Sequence, residues 1–360
     1  MKRAAWAHLR LSALEHNLRR VREMAPGRQV MAVIKAEAYG HGLMRVADVL
    51  APMADGFAVS CMDEADALRG AGFRLPLLVM QGFKNERELR QAAHQEIAVV
   101  AHDETQLRLL ETTPLSNSLK VWLKLDTGMG RLGFPTQRAA AVYGGLQRCA
   151  QVMQPPVWMT HLACADEPER PENTAQLERF EAATEGLPGL RSLANSAAIL
   201  SLPRSHGDWV RPGIMLYGAS PLADRDPARH GLERVMHLQA PLVAIQDRAM
   251  GDTVGYGATF QCTRPTRVGV VAIGYADGYP RHVPNGTPVM VRGRRAPLIG
   301  RVSMDMITVD LTDHPQAAVG DSVTLWGEGL PVDEIAAAAE TISYDLLCAV
   351  ADRVQVTSQS

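Results

Sequence analysis

Short runs that are apolar at nearly every position recur along the first part of the chain, separated by stretches long enough for helices. The runs are Val30–Ile34, Gly56–Ser60, Leu75–Met80, Ile97–Val100, Leu119–Leu125, Val157–His161, Arg191–Asn195 and Trp209–Leu216. Continuous rather than alternating apolar character is what a strand buried on both faces requires. Between the runs the spacing is helical. Leu43, Val46, Ala47 and Leu50 share one face, and Leu107, Leu110 and Glu111 follow a weaker version of the same period. Strand–helix units repeated in this way predict an α/β chain that begins as a (β/α)8 TIM-type barrel, although a doubly wound parallel sheet gives a similar pattern.

The texture changes near residue 230. The later apolar stretches, Leu242–Ile245, Arg267–Ile273, Pro288–Val291, Met306–Leu311 and Ser322–Trp326, are β-rich and separated by Gly, Pro and Asp. Only Asp333–Glu340 and Tyr344–Val350 look helical. This predicts a smaller, mainly antiparallel β domain. The polar, Pro-containing segment Pro221–His230 is the expected linker, which divides the chain into a barrel at 8–229 and a β domain at 230–360, joined by residues 1–7.

Composition narrows the function classes. A chain of 360 residues is comfortable for two domains, and a net charge of -2 offers no face for nucleic acid or an anionic membrane. The basic run Arg292, Arg294, Arg295 reads as a solvated loop or turn. Five scattered cysteines, never arranged as C-x-x-C, argue for a reducing compartment and against both a disulfide framework and a structural zinc. Met1–Leu11 has no apolar core long enough for a signal peptide, and no apolar run reaches transmembrane length. A cytoplasmic enzyme, bound to neither membrane nor nucleic acid, is expected.

The first candidate for chemistry is A-V-I-K-A-E-A-Y-G-H-G, Ala32 to Gly42. Lys35 closes the first barrel strand, at the rim where barrels present catalytic groups. An apolar strand leading into a lysine supplies desolvation that lowers an ammonium pKa toward a nucleophilic amine. The competing reading is a strand-end lysine reaching solvent. Tyr39 and the Gly40–Gly42 turn follow within reach of the same rim.

K-L-D-T-G-M-G-R-L-G-F, Lys124 to Phe134, contains G-x-G-x-x-G after a strand. A dinucleotide site also needs an immediate helix and a later carboxylate, and Pro135 interrupts. Asp126–Thr127–Gly128 matches half of an aspartic-protease site, but the chain holds no second copy to face it. A glycine-rich loop delivering Arg131 to the rim is the economical reading.

Three later strands end on His161, on Asn195–Ser196, and on Arg211 with Gly213 and Ile214. Singly these could be a core histidine, a helix N-cap and a buried ion pair. Together they share the rim of Lys35. Ser196 with the N–H groups of Gly213 and Ile214 suits a phosphate dianion, which barrels commonly bind after their last two strands. His161 with Cys164 has no third ligand nearby, so no metal is expected. In the β domain V-G-Y-G-A-T-F puts Tyr256 in an exposed turn between glycines, R-V-S-M-D-M carries Met304–Asp305, and G-Y-A-D-G-Y-P-R carries Tyr275 and Arg281.

These segments, in this order from Lys35 to Tyr344, resemble the alanine racemase family. The match rests on K-A-x-A-Y-G-H-G, L-D-T-G-M-x-R-L-G-F, N-S-A, R-P-G-I-x-L-Y-G, V-G-Y-G, G-Y-A-D-G-Y and S-M-D. Glu37 departs from it, standing where many members carry Asn or Asp. The resemblance implies pyridoxal 5'-phosphate held on Lys35 as a Schiff base, with Tyr39, Ser196, Gly213, Ile214 and Tyr344 around its phosphate. It implies His161 at the cofactor, Arg211 facing the pyridine nitrogen, and Arg131 near the phenolic oxygen. Arg131 and the Met304 N–H would bind the substrate carboxylate. Tyr256 would come from the second subunit of a homodimer, supported by Tyr275 and Asp305. Lys124 corresponds to a lysine that is carbamylated in relatives.

The implied activity is interconversion of L- and D-alanine, either for peptidoglycan or for alanine catabolism. Racemisation needs an acid–base group on each face of a planar carbanion. By resemblance Lys35 handles the D-alanine proton and Tyr256 the L-alanine proton. Both residue types titrate near 10 when unperturbed, so both must be lowered, and the pair His161–Arg211 is the expected cationic neighbour. An arginine at the ring nitrogen does not surrender its proton, which limits the electron sink and disfavours side reactions. A broader-specificity racemase is the nearest alternative. A barrel-type decarboxylase would want a carboxylate where Arg211 stands, and a non-catalytic cofactor carrier would have no use for Tyr256 and Met304.

Overall fold

The computed structural model describes residues 4–223 and 226–359. Strand β1 (Trp6–Arg10) leads into a helix, Leu11–Met24, and the barrel strands follow. These are β2 (Gln29–Val33), β3 (Gly56–Val59), β4 (Leu77–Val79), β5 (Ile97–Ala101) and β6 (Val121–Asp126), with the short β7 (Phe134–Pro135) beside its end. Then come β8 (Val157–Met159), β9 (Leu190–Ser192) and β10 (Trp209–Val210). They pair in parallel in the order β10-β2-β3-β4-β5-β6-β8-β9. Across the seam between β9 and β10, the Asp208 and Arg211 amides donate to the Arg191 and Ala194 carbonyls, and the Ser192 hydroxyl donates to the Trp209 carbonyl. The result is a nearly closed (β/α)8 barrel.

Every residue of β3, β4 and β8 is buried, because side chains fill the barrel inside and helices cover it outside. The helix Leu43–Leu50 turns Leu43, Val46, Ala47 and Leu50 inward, and Glu104–Thr112 buries Leu107 and Leu110 while Glu111 faces solvent. The eighth apolar run is shorter as a strand than its composition suggests. Only Trp209–Val210 is extended, and Ile214–Tyr217 winds into a 3-10 turn. Pro212 has no amide to continue a ladder, and the Gly213 amide donates to the Ser196 hydroxyl instead.

The second sheet runs β16-β15-β18-β11-β1-β19, with β14 and β17 continuing from β11. Its strands are β11 (Met236–Arg248), β14 (Thr266–Val271), β15 (Pro288–Val291), β16 (Arg294–Pro297), β17 (Ile307–Asp310), β18 (Ser322–Trp326) and β19 (Gln355–Gln359), with β12 (Thr253–Val254) and β13 (Phe260–Gln261) forming a small separate hairpin. Pairing is antiparallel except for β1 with β19. Tyr279 stacks on Trp326 in its core at 6.3 Å. The apolar stretch at 242–245 proves to be the middle of a 13-residue strand whose first half alternates inward and outward. Arg294 and Arg295 belong to β16 rather than to a loop. Arg292 in the adjoining turn pairs with Asp321, and Arg295 with Glu334, so two of the three arginines of the basic run are held in ion pairs. Of the expected linker, residues 224 and 225 lie outside the described residues and Pro227–His230 forms a 3-10 turn. Residues 1–3 of the N-terminal segment and residue 360 also lie outside them.

One buried carboxyl ties the two units together. Asp333 Oδ1 accepts the Ser220 amide (3.0 Å) at the barrel's exit and the Ser343 hydroxyl (2.8 Å) at the head of the helix Ser343–Cys348. Oδ2 has no partner among the described residues. Burial pushes the Asp333 carboxyl above its ordinary range, with the two hydrogen bonds opposing the shift. A folded-state pKa above the unfolded one contributes stability that is complete at low pH and is lost as pH rises through the folded value. Asp333→Asn keeps the accepting oxygen and removes the charge. It should raise the melting temperature at pH 7 to 8, with a gain that shrinks as pH falls toward about 4 in parallel calorimetric scans.

Candidate active site

Lys35 stands just beyond β2, at the start of a segment the sequence pattern did not foreshadow. Ala36, Glu37, Ala38 and Tyr39 have φ of 53°, 52°, 52° and 55°, a left-handed turn built without glycine. Such a conformation costs about 1–2 kcal/mol per L-residue, so it persists only where its surroundings impose it. The Ala36 amide donates to Glu64 Oε1 (2.7 Å), while Glu64 Oε2 takes the Ser60 amide (2.6 Å). Glu37, the residue that departs from the family pattern, accepts the Leu43 amide on its carboxylate (3.1 Å) and the Gly42 amide on its carbonyl (2.8 Å). The tight left-handed winding brings Lys35 and Tyr39 to one rim.

The Tyr39 ring stacks on Tyr217 with centroids 4.7 Å apart and lies 5.9 Å from Tyr344. A Cβ on Gly213 would come within 2.5 Å of the Tyr39 hydroxyl, so glycine is the one residue that fits there. The Gly213 amide donates to Ser196 Oγ at 2.7 Å. Ser196 opens the helix Ser196–Ser201, whose N-cap is Asn195, accepting the Ala198 amide at 3.0 Å. Hydroxyls and backbone amides thus converge beyond the last two barrel strands, with the Gly213 amide resting on Ser196 Oγ.

Arg211 is buried and has no carboxylate partner among the described residues. Its guanidinium donates to Ser192 Oγ (2.6 Å) and to the Thr160 (2.7 Å) and Leu193 (3.2 Å) carbonyls. Burial lowers its pKa to about 10, which still leaves it charged at neutral pH. His161 is driven well below its ordinary value by burial and by Arg211, Lys124, Arg131 and Lys35. It is neutral, so the expected cationic pair His161–Arg211 owes its charge to Arg211 alone. Burial and then Arg131 lower the Lys35 amine, against the opposing charge of Glu64. Lys124, beneath the rim and buried, is lowered to about 8 by burial, Arg211 and Arg131. The loop carrying Arg131 is tied down where Asp126 Oδ1 accepts the Gly128 and Gly130 amides, at 2.9 and 3.1 Å.

Lys35, Tyr39, Arg131, His161, Ser196, Arg211, Gly213, Ile214 and Tyr344 line one cavity of about 370 Å³. Val33, Met80 and Cys348 line it too and were not anticipated, since wall residues carry no motif. The other sequence-predicted residues are elsewhere. Tyr256 sits on the 3-10 turn between β12 and β13, 66% exposed, and Met304 is 53% exposed. Tyr275 donates its amide to the Ser303 carbonyl beside Met304, and Asp305 pairs with Arg353. Tyr256, Tyr275, Met304 and Met306 leave large apolar surfaces open on the β domain. Among the described residues no cluster of three His, Cys, Asp or Glu side chains could hold a metal.

The sequence matches the family model described as alanine racemase, N-terminal domain, over residues 9–221, and the C-terminal domain of the same family over residues 235–358. The chain belongs to the alanine racemase family. An alanine racemase of Thioalkalivibrio sulfidiphilus is 57% identical over 99% of both chains, and one of Nitrosococcus oceani is 53% identical over 97% of both. Among solved structures, the biosynthetic alanine racemase of Pseudomonas aeruginosa superposes with a TM-score of 0.97 at 46% identity, covering 99% of this chain and 100% of that one. The alanine racemase of Bartonella henselae, solved with covalently bound pyridoxal phosphate, gives 0.89 at 27% identity with 99% coverage of each chain. The match extends across both domains, so both the cavity and the surface carrying Tyr256 fall within the matched residues.

Proposed function

We propose that this chain interconverts L- and D-alanine with pyridoxal phosphate bound at Lys35, in an active site completed by Tyr256 and Met304 of a second copy. The observation that carries the reading is the single cavity in which an amine of lowered pKa, a phosphate-sized set of donors and an unpaired buried guanidinium meet. The donor set fits the cofactor. The hydroxyls of Tyr39, Ser196 and Tyr344 and the amides of Gly213 and Ile214 would hold its phosphate, at a floor where any Cβ on Gly213 would intrude. Arg211 would face the ring nitrogen and, keeping its proton, would leave that nitrogen unprotonated. When bound, pyridoxal phosphate supplies the electron withdrawal that makes an amino-acid α-proton removable at neutral pH.

The protein's own groups do the rest. Desolvation and the Arg131 charge lower the Lys35 amine from its ordinary range, and its Nζ can take or return a proton on one face of the substrate. The Tyr256 hydroxyl of the partner does the same on the other face. Arg131 and the Met304 amide of the partner would grip the substrate carboxylate. The exposed Tyr256, Tyr275, Met304 and Met306 surface supports a two-fold homodimer, since an apolar face of this kind is ordinarily covered. The barrel within residues 8–229 would hold the cofactor, with Tyr344 of the same chain closing the phosphate end, and residues 230–360, whose sheet also takes in β1 (Trp6–Arg10), would supply Tyr256 and Met304 to the partner's site. Lys124 has a neutral fraction at physiological pH and is crowded by cations. It would take CO2 as a carbamate, whose charge offsets and orients Arg131. In the cytoplasm the activity would feed D-alanine to peptidoglycan or draw it into catabolism.

Two measurements on the purified full-length chain test this reading together. Borohydride reduction should erase the long-wavelength absorption band and leave the cofactor's mass on the peptide containing Lys35. Incubation with alanine, serine, lysine and arginine should give rapid loss of optical activity for alanine and no CO2 from any of them. Label on another lysine overturns the site, and equal rates for the larger amino acids favour the broader-specificity alternative.

A further inference from the structure

The left-handed turn that sets Lys35 and Tyr39 is backed by a side chain with no part in the site described so far. His41 is fully buried. Its Nδ1 lies 3.1 Å from the Ala38 carbonyl and 2.9 Å from the Tyr39 carbonyl. Carbonyl oxygens only accept, so Nδ1 carries the proton. Nε2 is then a bare lone pair, and it has no partner among the described residues. Burial holds the ring neutral, with a pKa near 4, so this tautomer persists through the physiological range. The ring packs against Tyr217 at 4.7 Å, and Tyr217 stacks on Tyr39 and donates its hydroxyl to the Val33 carbonyl at the end of β2. His41 therefore meets the turn twice, at two of its left-handed carbonyls and through Tyr217 at the Tyr39 ring.

We propose that His41 is a positioning residue whose Nδ1–H holds the Ala38 and Tyr39 carbonyls in the left-handed turn, thereby seating the Tyr39 hydroxyl over Gly213 and the Lys35 amine at the cavity wall. The proposal rests on the reading of Lys35 and Tyr39 as cofactor-holding residues. Ala-Glu-Ala-Tyr has no local preference for this conformation, since the same residues favour a right-handed turn with different side-chain directions. Glu64 and Glu37 fix the amides at the turn's edges. His41 is the side chain that grips carbonyls at its C-terminal end, where the His41 amide also donates to the Ala38 carbonyl (3.1 Å). Glycine at positions 40 and 42, with φ of 80° and 91°, lets the chain double back so that the imidazole lies under the turn it supports.

The test uses the full-length chain freed of cofactor and titrated with pyridoxal phosphate, in wild type, His41→Asn and His41→Phe. Asparagine places an amide donor where Nδ1 stood, whereas phenylalanine keeps the ring and loses the donor. His41→Asn should bind within about threefold of wild type, and His41→Phe about tenfold or more weakly, with thermal melts showing both folded. Hydrogen exchange on the wild-type chain adds a measurement independent of any variant. The amides of Ala38, His41 and Gly42 should be protected to the level of β2. Equal affinity in His41→Phe, equal weakness in His41→Asn, or free exchange in the wild-type turn each overturns the role of His41, while cofactor label stays on Lys35. A wild-type chain that takes no label on Lys35 brings down the cofactor reading, and this inference with it.

Discussion

Lys35→Ala is expected to abolish alanine racemisation in both directions, lowering kcat/KM by more than about four orders of magnitude. The substitution removes the cofactor's point of attachment and one of the two proton-transfer groups together. Lys35 lies beyond the end of β2 and is only half-buried, so the barrel should fold normally. The measurement is circular dichroism of alanine against time, with a melt to confirm the fold. A small primary amine added to Lys35→Ala should restore part of the rate, since it can enter the space the side chain vacates. Racemisation at a tenth of the wild-type rate without added amine would mean that another group does this work.

Tyr256→Phe should have the second-largest effect, and one with a direction. Removing the hydroxyl costs about 10²- to 10³-fold in racemisation, because the proton on one face loses its acid–base partner. Lys35 remains, so the α-proton of D-alanine should still exchange with D2O at a substantial fraction of the wild-type rate. L-alanine should exchange far more slowly. The contrast between exchange and inversion, followed by proton NMR and by optical rotation, separates a lost base from a damaged interface. An interface defect would slow all four processes alike. Unchanged inversion in Tyr256→Phe would rule out the tyrosine as a base.

Much of the barrel was legible because burial on both faces leaves a one-dimensional trace. Gly56–Val59 and Leu77–Val79 are apolar at every position for that reason alone. The β domain was harder. β16, with Arg294 and Arg295, and β19, with Gln355, Thr357 and Ser358, are edge strands of the second sheet and carry polar residues, so no apolar run marks them. Position at strand ends pointed to Lys35, His161 and Arg211, and the resemblance supplied their roles. The left-handed turn at Ala36–Tyr39 had no signature, since its residues favour an ordinary helix and the contacts around it, from Glu64 distant in sequence and from the buried His41, form only in the folded chain. For the same reason His41 read merely as part of a glycine turn. Tyr256 was visible as an aromatic flanked by glycines, but a single chain leaves it exposed and away from the cavity it is proposed to serve.

That separation permits the most direct test of the central claim, that Lys35 of one subunit works with Tyr256 of the other. Lys35→Ala and Tyr256→Phe chains, each nearly inactive alone, are mixed in equal amounts and allowed to exchange subunits. A shared site predicts that half of the dimers become mixed and that each mixed dimer holds one intact site, returning about a quarter of the wild-type activity. If Lys35 and Tyr256 act within the same chain, every site in the mixture keeps one defect. Recovery to about a quarter supports the account. A mixture that exchanges subunits, as shown by mass spectrometry of the intact dimers, yet stays as inactive as its components would contradict it.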